Sequence, residues 1–218
     1  MRLNKYIAKA TGISRRKVDT LIENGAVNVN GKRASLGIQV SDADDVVVNG
    51  TEVKAPTTST TIMLNKPTGY VCSREGQGSK TIYDLLPEEL HKLKSIGRLD
   101  KDSSGLILLT DNGDMANQLL HPSGQKRKVY EIELNKSLSD EHQQTIARSG
   151  VDIGDARPSK LKLSGKDNEW TVTISEGRNR QIRRTFEKLG YGVTKLNRTE
   201  FGDYKLDKLK PGNWIKID

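Results

Sequence analysis

Apolar residues along this chain recur at two spacings, and each spacing predicts a different element. At Leu3, Tyr6, Ile7 and Ala10 they fall three and four apart, on one face of a helix that Gly12 ends. Ser14 offers a cap for a second helix whose inward stripe is Val18, Leu21 and Ile22, and Gly25 stops it. The spacing then shortens to two. Residues 26–32 and 45–50 read as short strands, each closing on an Asn-Gly pair of the kind tight hairpins favour (Asn30-Gly31 and Asn49-Gly50). Residues 55–60, Ala-Pro-Thr-Thr-Ser-Thr, carry no hydrophobic period and read as a linker.

Beyond the linker, strands and helices mix without a regular alternation. Residues 61–66 predict a strand stopped by Pro67 and Gly69, and residues 129–134 and 170–174 alternate as half-buried strands. Residues 83–90, 112–120 and 139–148 predict helices, and 180–189 a further one with Ile182, Phe186 and Leu189 inward. The fold class that follows is α+β, with a mostly antiparallel mixed sheet rather than a doubly wound one. The expected organisation is a small module at 1–54, a linker at 55–60 and a larger domain at 61–218.

The longest unbroken apolar run, Leu106-Ile107-Leu108-Leu109, is far short of the roughly 20 residues that cross a bilayer. The first residues begin a helical pattern instead of a secretory leader. A cytoplasmic monomer without a membrane partner is therefore the expectation. The one cysteine, Cys72, leaves no internal disulfide and reads as a small buried residue. His91, His121 and His142 are scattered without ligand spacing, so neither a metal site nor a Ser-His-Asp triad is expected. No phosphate-binding or dinucleotide glycine motif occurs, and no cofactor is expected.

Charge sharpens the picture. The net charge is +8, and its distribution is uneven. Residues 1–40 carry a net +6 from eight cations that include Arg15, Arg16, Lys17 and Lys32; residues 176–198 carry a net +5. Two separate cationic segments suit a long polyanion better than a small substrate. Arg15, Arg16 and Lys17 sit in the first turn of the second helix, where cations oppose the helix dipole, so an external anion is a reasonable account of them. Solvated surface charge is the plain alternative.

Among nucleophiles and bases, carboxylates remain. Asp100 and Asp102 lie in the polar loop before the apolar strand at 106–109, on a rigid support. The two side chains are read as diverging, so only one is expected to face a given pocket. A carboxylate needs a partner that keeps it ionised and aimed, and Arg180, Arg183 and Arg184, predicted on one helix face, offer it. A basic strip for phosphate contacts, Arg178 included, accounts equally for most of these arginines. Tyr130 alternates to a defined sheet face beside Lys126-Arg127-Lys128, as a stacking platform or as plain core packing.

Four ordered segments then carry a resemblance: LNKPTGYVCS at 64–73, GRLDKDSSGLILLTDNGD at 97–114, KVYEIEL at 128–134 and EGRNRQIRR at 176–184. They resemble the signature segments of the RsuA/RluB/RluE/RluF family of ribosomal RNA pseudouridine synthases. SRRKVDTLIENGAVNVNGK at 14–32 resembles the alpha-L RNA-binding domain first described in ribosomal protein S-four. The resemblance implies a pseudouridine synthase fold at 61–218, ribosomal RNA or a pre-ribosomal particle as partner, and no cofactor.

By position it implies Asp100 as the essential aspartate, Tyr130 as the tyrosine that stacks on the target base, with general-base work as a further role, and Arg183 as the arginine paired with that aspartate. Arg98 matches a position that helps hold the flipped nucleotide. Asp100 would promote cleavage of the N1–C1′ bond by attack at C1′, attack at C6, or elimination at C2′, and these routes stay open. HPSGQKRKVYEIEL and EGRNRQIRR lean toward the large-subunit enzymes, with a small-subunit target as the alternative. A non-catalytic RNA-binding assembly factor is the runner-up from another class, and a metal-dependent nuclease is the third reading.

Overall fold

The structure, a computed structural model, describes residues 1–56, 58–76 and 78–217; Thr57, within the expected linker, lies outside the described residues. The chain divides into two compact units, Met1–Thr60 and Thr61–Asp218.

In the first unit, α1 (Leu3–Thr11) ends where Gly12 takes a φ of +74° and its N–H closes on Ala8 O. Ser14 caps α2 (Arg15–Glu23) by accepting from Lys17 N at 3.3 Å. The strands β1 (Val27–Val29), β2 (Lys32–Arg33), β3 (Val46–Val48) and β4 (Thr51–Glu52) pair antiparallel in the order β2-β1-β3-β4. Both Asn-Gly pairs hold positive φ at both residues, the geometry of a type I′ hairpin turn. Leu3, Tyr6, Ile7, Val18, Ile22 and Val27 meet in one buried cluster. With the apolar stripes used in that core, Arg15, Arg16, Lys17 and Lys32 are left exposed.

The second unit is built on a nine-stranded sheet. Its strands are β5 (Thr61–Lys66), β6 (Lys94–Ile96), β7 (Ser104–Thr110), β8 (Lys128–Leu134), β9 (Lys162–Lys166), β10 (Glu169–Ile174), β11 (Val193–Phe201), β12 (Tyr204–Lys205) and β13 (Trp214–Ile217). The main path runs β13-β5-β7-β11-β8-β10-β9, with β6 on β7 and β12 on β11. Every pairing is antiparallel except β7 with β11, so the mixed, mostly antiparallel sheet is found as expected. β7 is covered on both faces, which is why its run is uninterrupted rather than alternating. Ile107 and Leu109 join a core with Tyr130, Ile132, Ile182 and Phe186; Leu106 and Leu108 join Met63, Leu119 and Phe201 on the opposite side.

Helices depart from the sequence pattern in three places. Residues 83–90 form two short 3₁₀ turns, Ile82–Leu85 and Glu88–Leu90, with Pro87 between them where a continuous helix would need its N–H. Residues 139–148 form α4 (Asp140–Gln144) and then widen into a π turn, Thr145–Ser149. The last helix, α5 (Gln181–Lys188), begins after Arg180 rather than at it. Between these, α3 (Gly113–Leu120) follows its pattern, capped by Asn112.

The parallel junction of β7 with β11 is short, Asn197 opposite Ser104 and Arg198 opposite Gly105, and it brings the loop before β7 against β11. Gly105 permits it: its φ is +106°, and an added Cβ would lie 2.2 Å from Arg198 O and 2.5 Å from Arg198 N. Because backbone cannot yield as a side-chain tip can, Gly105→Ala is expected to destabilise the second unit by about 2 kcal/mol or more. Chemical denaturation of the variant checks this through its midpoint.

Candidate active site

The loop from Gly97 to Ser103 is fixed from beneath by residues of an earlier strand and turn. Lys66, the last residue of β5, is fully buried, and its Nζ donates to the carbonyls of Pro67 (3.0 Å), Asp100 (3.0 Å) and Ser103 (2.6 Å). Cys72 Sγ accepts from Leu99 N and donates to Leu99 O, both at 3.3 Å. Gly69 N donates to Lys101 O at 2.7 Å, and Ser103 N closes a turn on Asp100 O at 3.1 Å. Burial pushes the Cys72 thiol above its ordinary value, so Cys72 serves as a clamp beside Asp100 rather than as a nucleophile. Burial likewise lowers Lys66, against the pull of Cys72, Asp100 and Asp102.

Held this way, the backbone presents two carboxylates together. The turn at 100–103 brings both around one guanidinium: Arg180 Nη1 lies 3.5 Å from Asp100 Oδ2 and 3.2 Å from Asp102 Oδ1. The divergence expected of the two side chains is therefore not found. Arg180 reaches them from the residue before α5, in a left-handed conformation (φ +45°, ψ +32°) that costs a non-glycine residue roughly 1 kcal/mol. Strain of this kind is tolerated where surrounding contacts fix the residue, and here two carboxylates do so.

Arg183 does not make the pair expected of it. Its Nε lies 3.2 Å from Asp102 Oδ2, and its Nη2 donates to the Asp102 carbonyl at 2.8 Å. Nη1 donates to Val193 O at 2.6 Å, which ties the largely buried guanidinium between the loop and the start of β11. So anchored, Arg183 meets Asp102 alone, while Arg180 reaches both Asp102 and the less exposed Asp100. Arg184 turns the other way, toward Asp155 at 2.8 Å, so the three arginines do not act from a common face. For Asp102, burial raises the pKa, but the hydrogen bond from Arg180 and the charges of Arg183 and Arg180 outweigh it and hold the carboxyl below its usual value. Its folded pKa being depressed, Asp102 stabilises the fold above its unfolded value, and that contribution is lost as pH falls through the lower folded one.

A cleft of about 1210 Å³ opens over this loop, lined among others by Arg98, Asp100, Lys128, Tyr130, Arg178 and Arg180. It exceeds the ~300–1,000 Å³ typical of small-ligand sites. Tyr130 is 8% exposed, on the sheet face that forms the floor. Arg98 is exposed at the mouth. Arg178 is less available than its sequence position suggests: its guanidinium bonds to Glu176 (2.8 Å), Asp155 (3.4 Å) and the carbonyls of Arg157 (2.6 Å) and Pro158 (3.2 Å), bracing the cleft wall. Arg15, Arg16, Lys17 and Lys32 belong to the other unit.

Two functional candidates escaped the sequence reading, Lys66 and Arg198. A lysine ending a strand with an apolar centre and preceding Pro67 was the signal for the first. Arg198 is 3% exposed, and β11, which carries it, was not read as a strand. Among the described residues no helix is long and apolar enough to cross a membrane.

Residues 60–188 match the RNA pseudouridylate synthase family, and residues 1–47 match the S4 domain. The chain is 39% identical over 216 residues to a dual-specificity RNA pseudouridine synthase RluF of Salmonella typhi, covering 98% of this chain and 74% of that protein. It is 37% identical over 220 residues to the ribosomal large subunit pseudouridine synthase B of Bacillus subtilis (strain 168), covering 97% and 90%. A crystal structure of a pseudouridylate synthase superposes with a TM-score of 0.72 at 33% identity, covering 100% of this chain and 96% of that one. With a carboxylate and a tyrosine lining one cleft over a mixed sheet, and relatives matched over 74% and 90% of their own length, this chain belongs to the RNA pseudouridylate synthase family and carries an S4 domain at residues 1–47.

Proposed function

We propose that this protein isomerises a specific uridine to pseudouridine in ribosomal RNA of the large subunit, acting as a cytoplasmic monomer on the RNA or a pre-ribosomal particle. The observation that carries the reading is Asp100: a carboxylate on a buttressed loop, beside Arg180, over a cleft whose floor holds Tyr130. The names of the relatives support the substrate class, two of them being large-subunit enzymes.

In this reading the target uridine leaves its stack, at a cost of a few kcal/mol, and enters the cleft. Tyr130 stacks on the base, and Arg98 at the mouth holds the displaced strand. Asp100 promotes cleavage of the N1–C1′ bond; the uracil turns, C5 bonds to C1′, and the proton on C5 is lost as N1 gains one. The product is an isomer of the substrate, so the step balances without a redox partner. Arg180 and Arg183 act together, the first on Asp100 and the second through Asp102. Lys128 contributes charge on the floor, Arg178 shapes the wall, and Arg15, Arg16, Lys17 and Lys32 meet RNA phosphates elsewhere.

The test is carbodiimide–primer-extension mapping of ribosomal RNA from a strain lacking the gene, rescued or not with the wild-type chain. One stop in large-subunit RNA that disappears on deletion and returns on rescue is expected. An unchanged map overturns the catalytic reading, and a changed stop in small-subunit RNA overturns the substrate assignment alone.

A further inference from the structure

Beside Tyr130 the cleft carries two cations, Lys128 and Arg198, for which no carboxylate partner is found among the described residues. Arg198 is 3% exposed and lines the cleft. Its Nε donates to Leu106 O at 2.8 Å and its guanidinium lies 5.0 Å from the Phe201 ring centroid, but its Nη2 is buried with no hydrogen-bond partner among the described residues. Lys128 Nζ lies 5.6 Å from the same ring, and its hydrogen bond is to a carbonyl, Glu176 O, at 3.1 Å. The Glu176 carboxylate is already engaged by Arg157, Arg178 and Gln181. Burial and the charge of Arg198 both lower the Lys128 pKa, with Glu176 opposing them. Two neighbouring cations, one buried and one half-buried, with a donor unfilled, are costly unless an anion joins them.

Register gives that anion its place. Arg198 lies directly opposite Tyr130 across the β8–β11 pairing, and both line the cleft. Lys128, which lines it too, lies two residues before Tyr130, roughly 7 Å along the strand. A base stacked on Tyr130 therefore has its own sugar–phosphate within reach of both cations.

We infer that Lys128 and Arg198, set against Phe201, form an oxyanion subsite that takes a phosphodiester flanking the extruded uridine. The inference rests on the proposed placement of the base at Tyr130. The subsite anchors the flipped nucleotide by its backbone and is indifferent to base identity.

Uridine 5′- and 3′-monophosphate, compared with uridine, test it by calorimetry. The wild-type protein is expected to bind at least one monophosphate about tenfold tighter than uridine, Lys128→Met to lose that preference, and Lys128→Arg to keep it. For an RNA fragment, Lys128→Met should flatten the log Kd–log salt slope by about 0.7, the value for one phosphate contact on a single strand. Should the variant fail to fold, the Arg198 Nε–Hε resonance of the wild-type protein serves instead, shifting with the monophosphate and not with uridine. Equal binding of uridine and both monophosphates, or an unchanged salt slope in folded Lys128→Met, overturns the inference. Turnover of RNA by the same wild-type preparation is a separate readout: an inactive protein that prefers the monophosphate refutes the catalytic reading and leaves the subsite standing.

Discussion

Asp100→Ala is expected to abolish pseudouridine formation, lowering the single-turnover rate by at least about 10⁴-fold while RNA affinity stays within a few-fold of wild type. The asymmetry follows from how the loop is held. Its backbone is fastened by Lys66, Cys72 and the turn bond from Ser103, none of which uses the Asp100 carboxylate. Removing that carboxylate leaves Arg180 its contacts with Asp102 and leaves Arg183 untouched. It also deletes a negative charge from a cleft meant for a polyanion, so binding should not suffer. Because C5 loses its hydrogen in the proposed reaction, release of tritium from RNA labelled at uridine C5 follows turnover directly. Asp100→Asn, nearly isosteric, should be as inactive as the alanine variant, since shape is kept and charge is lost. Asp102→Asn should cost less, roughly 10–100-fold, because it acts through the two arginines. An Asp100→Ala protein within tenfold of wild type would remove the carboxylate from the chemistry.

How much of this was legible in the sequence differs by element. The two helices and hairpins of the first unit follow their periodicity closely, because stripes such as Leu3–Tyr6–Ile7 and paired Asn-Gly turns are local signals with local causes. The loop before β7 was legible as a polar turn on a rigid support, because a four-residue apolar run follows it. The partner of Asp100 was not. Whether Arg180 or Arg183 reaches it depends on a left-handed residue before α5 and on a bond to Val193, across the fold, and no spacing rule contains either. β11 was missed for a related reason: Val193–Phe201 carries Lys195, Arg198 and Glu200, and its register shifts at two bulges, so its alternation is broken. Its central position in the sheet is a tertiary fact, and with it went Arg198.

Lys66→Met should unfold the site without unfolding the chain's first unit. The substitution keeps the length of the side chain and removes its charge, so the strand should still pack. Two effects then compete. Burial of the ammonium is a cost, seen in the lowered pKa, and methionine relieves it. Against that, the carbonyls of Pro67 and Ser103 lose the donor that satisfies them, whereas Asp100 O retains its bond from Ser103 N. An unsatisfied buried carbonyl costs roughly 1–3 kcal/mol, so two of them outweigh the relief and the net loss should be about 2–4 kcal/mol in the second unit. Turnover should fall further than stability implies, by roughly 100-fold at a temperature where the variant is folded, because a loop freed by an ångström no longer aims Asp100. Denaturation followed separately by the two tryptophans, Trp170 and Trp214, both in the second unit, measures the first effect, and single-turnover tritium release at 15 °C the second. The pH dependence separates this account from simple packing. With its pKa lower in the folded state than in the unfolded one, Lys66 makes wild-type stability rise with pH between those two values, as the folded side chain sheds its proton first. Lys66→Met should lack that rise, and a variant that lost stability yet kept it would show that the buried ammonium is not its source.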